Sequence, residues 1–116
     1  MRKVIRMVAE GQALPVCPEQ LGGLTTPRVP AEMIGNKVIR KDGVDVTEAF
    51  QRGAREALKL AQMVGAKTAI LKAKSPSCGC GKIYDGSFSG MLVDGDGVFA
   101  DLCKKDGIRV KTEEEI

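Results

Sequence analysis

The sequence contains no histidine and no tryptophan, and only one tyrosine and three phenylalanines stand among its 116 residues. Without imidazole the chain has neither a Ser-His-Asp triad nor a histidine-ligated zinc site, so acid–base chemistry falls to carboxylates, lysines or thiols. The hydrophobic content of 43% and the charged content of 28% are nevertheless those of an ordinary globular protein. We therefore expect one domain, residues 1–116, packed mainly by aliphatic side chains.

Long apolar runs are also missing, and this absence bears on where in the cell the protein is expected. No segment approaches the ~20 apolar residues of a membrane span, and the basic start Met1-Arg2-Lys3 is not followed by a signal-peptide pattern. We expect a cytoplasmic protein whose four cysteines are thiols or metal ligands rather than disulfides. The net charge of +3 permits an RNA partner but does not demand one, because the basic residues are scattered.

Strand and helix signals alternate along the chain, which is typical of a three-layer, Rossmann-like α/β fold with a parallel sheet. Asp45 and Glu48 have the spacing of a capping box, and Gly65 ends the apolar helical series that follows. The other predicted elements are helices over Lys3–Glu10 and Gly97–Lys105 and strands over Ala13–Val16, Lys37–Arg40, Lys67–Leu71 and Ile108–Val110. The first element is a helix, which leaves a sheet edge open, so we expect a homo-oligomer.

Two cysteines stand in unusual phrases at the ends of predicted strands. Cys17 lies in Val-Cys-Pro-Glu, which includes Glu19, and Cys78 lies in Ser-Pro-Ser-Cys-Gly, which includes Ser75 and Ser77. Groups just past the carboxyl ends of parallel strands line the ligand crevice of such sheets. We therefore expect the two thiols, the carboxylate and the two hydroxyls to converge on one spot. The alternative is that both cysteines are buried thiols that act as small apolar side chains.

The spacing of the cysteines indicates which kind of metal group they could bind. Cys78 and Cys80 form a C-x-C pair with no second pair, which is not the pattern of a zinc site, and Cys103 in the last predicted helix is explained by packing. Cys17 and Cys78 are soft ligands from separate parts of the chain, which suit an iron–sulfur cluster better. Gly79-Cys80-Gly81-Lys82 lacks the other residues of a phosphate-binding P-loop.

Two glycine-containing segments each have two interpretations. Gly95-Asp96-Gly97 lies at the start of the last predicted helix. It is either a plain turn or a site that holds an anion at the helix N-terminus. Tyr84–Gly90 is either a hairpin turn or a loop that contacts a substrate.

A series of ordered phrases, almost from end to end, resembles the bacterial and archaeal thiouracil desulfidase family. These phrases are Pro15–Leu24, Thr26–Arg28, Pro30–Glu32, Gly43 with Asp45–Thr47, Ile70–Lys72, Ser75–Gly79, and Tyr84–Gly86 with Phe88–Gly90. The resemblance implies a [4Fe-4S] cluster held by three cysteines, whose fourth iron binds the sulfur of a thiolated uracil. It further implies hydrolytic removal of that sulfur without net redox change, from thiouracil as a small molecule or from thiouridine in tRNA.

Carried across by phrase, the resemblance makes Cys17 and Cys78 cluster ligands, Glu19 the acid–base carboxylate and Ser75 a catalytic hydroxyl. The family's first strand and the phrase with its third cysteine have no counterpart here, so we expect the family's fold without that strand. Three readings follow: Cys80 serves as the third ligand, the start is truncated, or the cluster has been lost. The leading function is [4Fe-4S]-dependent desulfidation, and the alternative is a catalytically silent module that binds a metal or a small ligand.

Overall fold

A computed structural model of the chain describes residues 6, 7, 9, 10, 15–24 and 29–115. The helices are α1 (Pro18–Leu21), α2 (Thr47–Met63) and α3 (Val98–Lys105), and the strands are β1 (Ala31–Ile34), β2 (Lys37–Arg40), β3 (Thr68–Leu71), β4 (Lys82–Tyr84), β5 (Leu92–Asp94) and β6 (Arg109–Thr112). A 3-10 turn, Glu113–Glu115, follows β6. Within these residues no helix has the length and apolar character that a membrane crossing requires.

The described strands form three two-stranded sheets. β1 and β2 are antiparallel, with Ala31 opposite Arg40, and β4 and β5 are antiparallel as well. β3 and β6 run parallel, with Thr68 opposite Arg109 and α3 in the connection between them. A parallel pair accompanied by helices confirms the predicted α/β fold class.

The core lies between α2, α3 and the parallel pair. Its buried members are Ala54, Ala57, Leu71, Phe99, Ala100, Cys103 and Ile108. Small alanines on α2 and α3 allow the two helices to approach each other closely, and the burial of Cys103 confirms that this thiol serves packing.

The helix α2 shows how far local signals determine structure. The predicted capping box with Asp45 as the N-cap is wrong, because the N-cap is Val46 and no side chain caps the helix. The Asp45 carboxylate instead accepts a hydrogen bond from the Thr47 N–H at 2.9 Å, one residue before the N-cap. At the other end Gly65 adopts a left-handed φ of 68°. The N–H groups of Gly65 and Ala66 then bond carbonyls of the last turn, which is the Schellman arrangement and confirms the predicted stop.

The strand predicted over Ala13–Val16 is not found in its described half. Pro15 and Val16 are exposed and lie outside any strand, and proline cannot donate to a strand ladder. Ala13 and Leu14 lie outside the described residues. In the predicted helix over Lys3–Glu10, Arg6, Met7 and Ala9 are helical, and the rest of that element apart from Glu10 lies outside the described residues.

Candidate functional site

Cys17 and Glu19 are placed by the short helix α1. Cys17 is the N-cap residue in an extended conformation, and Pro18 begins the helix, where its missing N–H costs nothing. Cys17 and Glu19 are half-buried, while Pro18 is buried against the protein. The helix α1 is fixed to α2 by Arg52, whose Nη2 donates to the carbonyl of Gly22 at 2.7 Å. The thiol and the carboxylate therefore sit on an anchored element.

Cys78 lies in a tight turn after β3. The Ser75 Oγ accepts a hydrogen bond from the Cys78 N–H at 2.8 Å, and the Ser75 carbonyl accepts one from the Gly79 N–H at 2.8 Å. The Ser75 hydroxyl thus holds the backbone of the cysteine that the sequence singles out.

The N-terminus of α3 supports the same turn from the other side. The Val98 N–H donates to the Pro76 carbonyl at 2.9 Å, and the Phe99 N–H donates to the Ser77 carbonyl at 2.8 Å. These first-turn N–H groups are the donors that would hold an anion at a helix start. Because the cysteine turn uses them, Gly95–Gly97 is better explained as the turn that leads into α3.

The electrostatics of Cys78 show which side chains meet there. The pKa of its thiol is raised to about 11, chiefly by burial and in smaller part by the charges of Glu19 and Cys17. The hydroxyls of Ser77 and Ser75 act in the opposite direction. Glu19, Cys17, Ser75 and Ser77 therefore lie near enough to Cys78 to act on its thiol, and their convergence on one functional spot stays a prediction.

Ser77 is the most deeply buried polar side chain of this group, with 1% of its surface exposed. Its Oγ has no hydrogen-bond partner in the part of the chain that the structure describes. An unsatisfied buried hydroxyl costs about 1–3 kcal/mol. Because it lies beside a thiol that can ionise, this hydroxyl can donate a hydrogen bond to a thiolate or to a bound group.

Cys80 faces different neighbours. Lys104 Nζ lies 3.0 Å from the Asp96 carboxylate, and the pKa of Lys104 is raised first by that hydrogen bond and also by the Cys80 thiol beside it. Cys80 is half-buried at this position. The structure thus groups Cys80 with an ammonium and a carboxylate on α3 and its leading turn.

The donor set at Cys78 meets the needs of an iron–sulfur cluster in part. Cys17 and Cys78 offer two soft thiol ligands, and the unsatisfied hydroxyl of Ser77 suits a site where sulfur becomes negatively charged. Among the described residues, however, no three His, Cys, Asp or Glu side chains are grouped so that they could hold a metal ion. The residues fit two cluster ligands, and the assignment of Cys80 as the third stays a prediction.

Fold and side chains together define a small α/β protein that presents thiols, a carboxylate and hydroxyls beside one another. The sequence profile of the 2-thiouracil desulfurase family matches residues 1–115, and the chain belongs to this family. The uncharacterized protein YbbK of Bacillus subtilis (strain 168) is 44% identical over 124 aligned positions, which cover 98% of this chain and 82% of the relative.

A solved structure described as the [4Fe-4S]-dependent thiouracil desulfidase TudS shares the fold with a TM-score of 0.93. It is 45% identical and covers all of this chain, which in turn covers 77% of that protein. These comparisons confirm the family resemblance and the fold class.

Sequence reasoning missed the residues that hold the site in place. Arg52 has no motif that marks it, since its partner Gly22 is 30 positions away. No motif marks Lys104 and Asp96 as neighbours of Cys80 either. Such contacts depend on how helices dock, and a single sequence carries no local pattern for them.

Proposed function

We propose that this protein removes sulfur from a thiolated uracil by hydrolysis, without net redox change, with a [4Fe-4S] cluster as its cofactor. The observation that carries the proposal is the meeting of Cys17 and Glu19 beside Cys78, in a chain 45% identical to a structure described as a [4Fe-4S]-dependent thiouracil desulfidase. One water oxygen replaces the sulfur at the ring carbon, and the sulfur leaves as sulfide with the water protons. No oxidant or reductant is needed.

Cys17 and Cys78 would hold the cluster, and Cys80, which lies beside Lys104, is one of the readings for the third ligand. When bound, the cluster supplies a Lewis-acidic iron that draws electrons from a carbon–sulfur double bond. The protein's own part is to present the ligands as thiolates. The raised pKa of Cys78 means that the thiol must lose its proton when metal binds, so loading releases protons.

Glu19 is assigned the acid–base role. Its carboxylate is half-buried and close enough to Cys78 for its charge to raise the pKa of that thiol. In a chain without histidine, a carboxylate at this place is the group that can accept a proton from water and return it to the departing sulfur.

Ser75 is assigned a donor role toward the substrate. A hydroxyl has one proton to donate and two acceptor positions. The Ser75 Oγ already accepts from the Cys78 N–H at 2.8 Å, and its own proton would be shared between the Cys78 sulfur and the ring of a thiolated base. The same bond keeps the oxygen fixed with respect to Cys78.

The proposal also covers the setting of the reaction. The substrate is free thiouracil or thiouridine within tRNA, the enzyme acts in the cytoplasm as one domain of residues 1–116, and it forms a homo-oligomer. Assays with 2-thiouracil and with thiolated tRNA, at matched concentrations, distinguish the two substrates. Sedimentation at tens of micromolar tests the oligomer, and a clean monomer would contradict it.

Anaerobic loading with iron and sulfide tests the proposed activity. A brown protein with absorbance near ~400 nm is expected, together with sulfide release from the thiolated substrate. Cys17→Ser should abolish the absorbance, because a serine hydroxyl is a poor iron ligand at neutral pH. Glu19→Gln should keep the absorbance and slow sulfide release by ~10²–10⁴-fold. Glu48→Gln, on the exposed surface of α2, is the matched control.

A catalytically silent binding module is the second candidate. It is favoured by the lack of a three-ligand group in the described part of the chain and by the position of Cys80 beside Lys104. A colourless protein after loading, with Cys17 and Cys78 both open to alkylation, would support the module over the enzyme. Full activity of Glu19→Gln, or a normal cluster in Cys17→Ser, would refute the two assignments.

A further inference from the structure

A glycine stands in the middle of the longest helix, where it needs an explanation. Gly53 lies within α2, and glycine in a helix interior is less favourable than alanine by about 1 kcal/mol. Its backbone is not in the left-handed region that glycine alone adopts readily. Conformation therefore does not require glycine at this position, and the reason must lie in what touches it.

The backbone of α1 occupies the space of the missing side chain. A Cβ added to Gly53 would lie 1.8 Å from the Pro18 carbonyl oxygen, and one added to Gly22 would lie 2.0 Å from the carbonyl oxygen of Ala49 on α2. Real Cβ atoms do not come within 3.0 Å of such atoms. The two glycines thus let the backbones of α1 and α2 touch directly.

Pro18 is the residue between Cys17 and Glu19, so this contact lies beneath both functional side chains. We infer that Gly53 is a positioning residue, whose bare backbone sets how far Cys17 and Glu19 stand from Cys78. The geometric part of this inference stands by itself, and its consequence for catalysis rests on the proposed function.

At Cys78, too, a glycine allows two backbone segments to touch directly. A Cβ on Gly97 would lie 2.5 Å from the Ser77 carbonyl oxygen and 2.8 Å from the Cys78 nitrogen, while the φ of Gly97 is an ordinary −66°. By contrast, a Cβ on Gly107 would meet nothing within 4 Å, and that glycine has a φ of +81°. Glycines at the site provide close approach, whereas Gly107 provides a turn.

The contrast supplies a matched pair of variants. Gly53→Ala must open the contact with Pro18 by about 1.6 Å, from 1.8 Å to the 3.4 Å of ordinary van der Waals contact. A misplacement of about 1 Å already costs on the order of 10²-fold in rate. Gly107→Ala strains a left-handed turn and loses stability, but places no atom near α1. Comparing the two separates displacement of the site from loss of stability.

The experiment is a crystal structure of each metal-free variant, with thermal unfolding followed alongside. In Gly53→Ala the Cys17–Cys78 Cα separation should change by up to about 1.6 Å, while Gly107→Ala keeps the wild-type separation with a lower Tm. An unchanged separation in Gly53→Ala, or an equal change in Gly107→Ala, would overturn the inference. If Gly53→Ala does not fold, Gly22→Ala replaces it, because Gly22 has a φ of −80° that alanine adopts.

Activity is measured separately so that the two proposals can fail independently. In an active wild-type enzyme, Gly53→Ala should lower kcat by on the order of 10²-fold with a smaller change in KM. An active Gly53→Ala enzyme with wild-type kcat despite a displaced α1 would overturn the catalytic part. A wild-type protein without desulfidation would refute the proposed function, and the separations in the metal-free crystals would still decide the geometric part.

Discussion

The thiol of Cys78 in the metal-free protein should react slowly with alkylating agents. Its pKa is raised from 9.0 to about 11, chiefly by burial. Only the thiolate is nucleophilic, so at pH 8 the population of the reactive form is about 10²-fold smaller than for a cysteine of ordinary pKa. Iodoacetamide labelling followed over time should show Cys78 modified about 10²-fold more slowly than the same residue in the urea-unfolded chain.

Glu19→Gln sharpens this prediction. It removes a negative charge that raises the pKa of Cys78, so labelling of Cys78 should become faster in the variant. Cys78 and Cys80 share one tryptic peptide, since cleavage occurs after Lys74 and Lys82, and Cys80→Ser as the common background leaves a single thiol there. Labelling of folded Cys78 at the unfolded rate, or slower labelling in Glu19→Gln, would refute the reasoning.

The same pKa predicts how metal-free stability depends on pH. The folded protein keeps the Cys78 proton up to a pKa of about 11, whereas the reference thiol loses it from 9.0. The contribution of the protonated Cys78 thiol to the free energy of unfolding is therefore complete below pH 9 and is lost as the pH rises to 11. The loss amounts to about 2–3 kcal/mol. Burial raises the pKa of Cys103 as well, so that thiol adds a loss of the same sign. Urea unfolding at pH 8 and pH 10.5 of the wild type and of Cys78→Ala measures the part due to Cys78 as the difference between the two proteins.

Two further substitutions test groups near the site. Ser77→Ala should leave metal-free stability unchanged or raise it by about 1 kcal/mol, because the buried hydroxyl has no partner in the described part of the chain; a urea midpoint lowered by more than the wild-type error would contradict this. Glu32→Gln should speed hydrogen exchange of the Gly86 and Phe88 amides, which both donate to the Glu32 carboxylate, at 3.0 and 3.1 Å. Losing the charge should cost about 1 kcal/mol, and unchanged protection would refute that role.

The sequence predicted the two longer helices and two of the short strands closely. The helices α2 and α3 have an apolar repeat, and the structure begins and ends them within two residues of the predicted bounds. β2 is the predicted strand Lys37–Arg40, and β3 begins one residue after the predicted Lys67. The strands β4 and β5 have three residues each, too few for an alternating pattern to stand out from a loop. Their pairing is determined by tertiary contacts.

The candidate site was predictable to the extent that it follows from strand ends and phrases. Cys78 follows a strand as expected, and the side chains around it include the expected carboxylate and hydroxyls. The route of Cys17 to the same place was predicted wrongly, since a helix start rather than a strand end carries it. The contact that we infer to place it joins Pro18 to Gly53, and nothing in the local sequence reveals a contact between such distant positions.

Ser75 shapes the cysteine turn, and the proposed function gives it a second role that Ser75→Ala alone cannot separate from the first. Its Oγ accepts from the Cys78 N–H at 2.8 Å, so the hydroxyl shapes the turn before any substrate arrives. Ser75→Ala should therefore cost about 0.5–2 kcal/mol, the range for a lost capping bond, and expose the Cys78 amide to exchange. A loss of activity in that variant would then reflect a deformed turn as much as a missing catalytic group.

Ser75→Thr separates the two roles, because threonine keeps the accepting oxygen and adds one methyl group beside it. Threonine should restore the protection of the Cys78 amide against hydrogen exchange. If the hydroxyl also contacts the substrate, the loaded Ser75→Thr enzyme should keep a raised KM or a lowered kcat despite the restored turn. Wild-type kinetics in Ser75→Thr together with restored protection would show that Ser75 serves the turn alone.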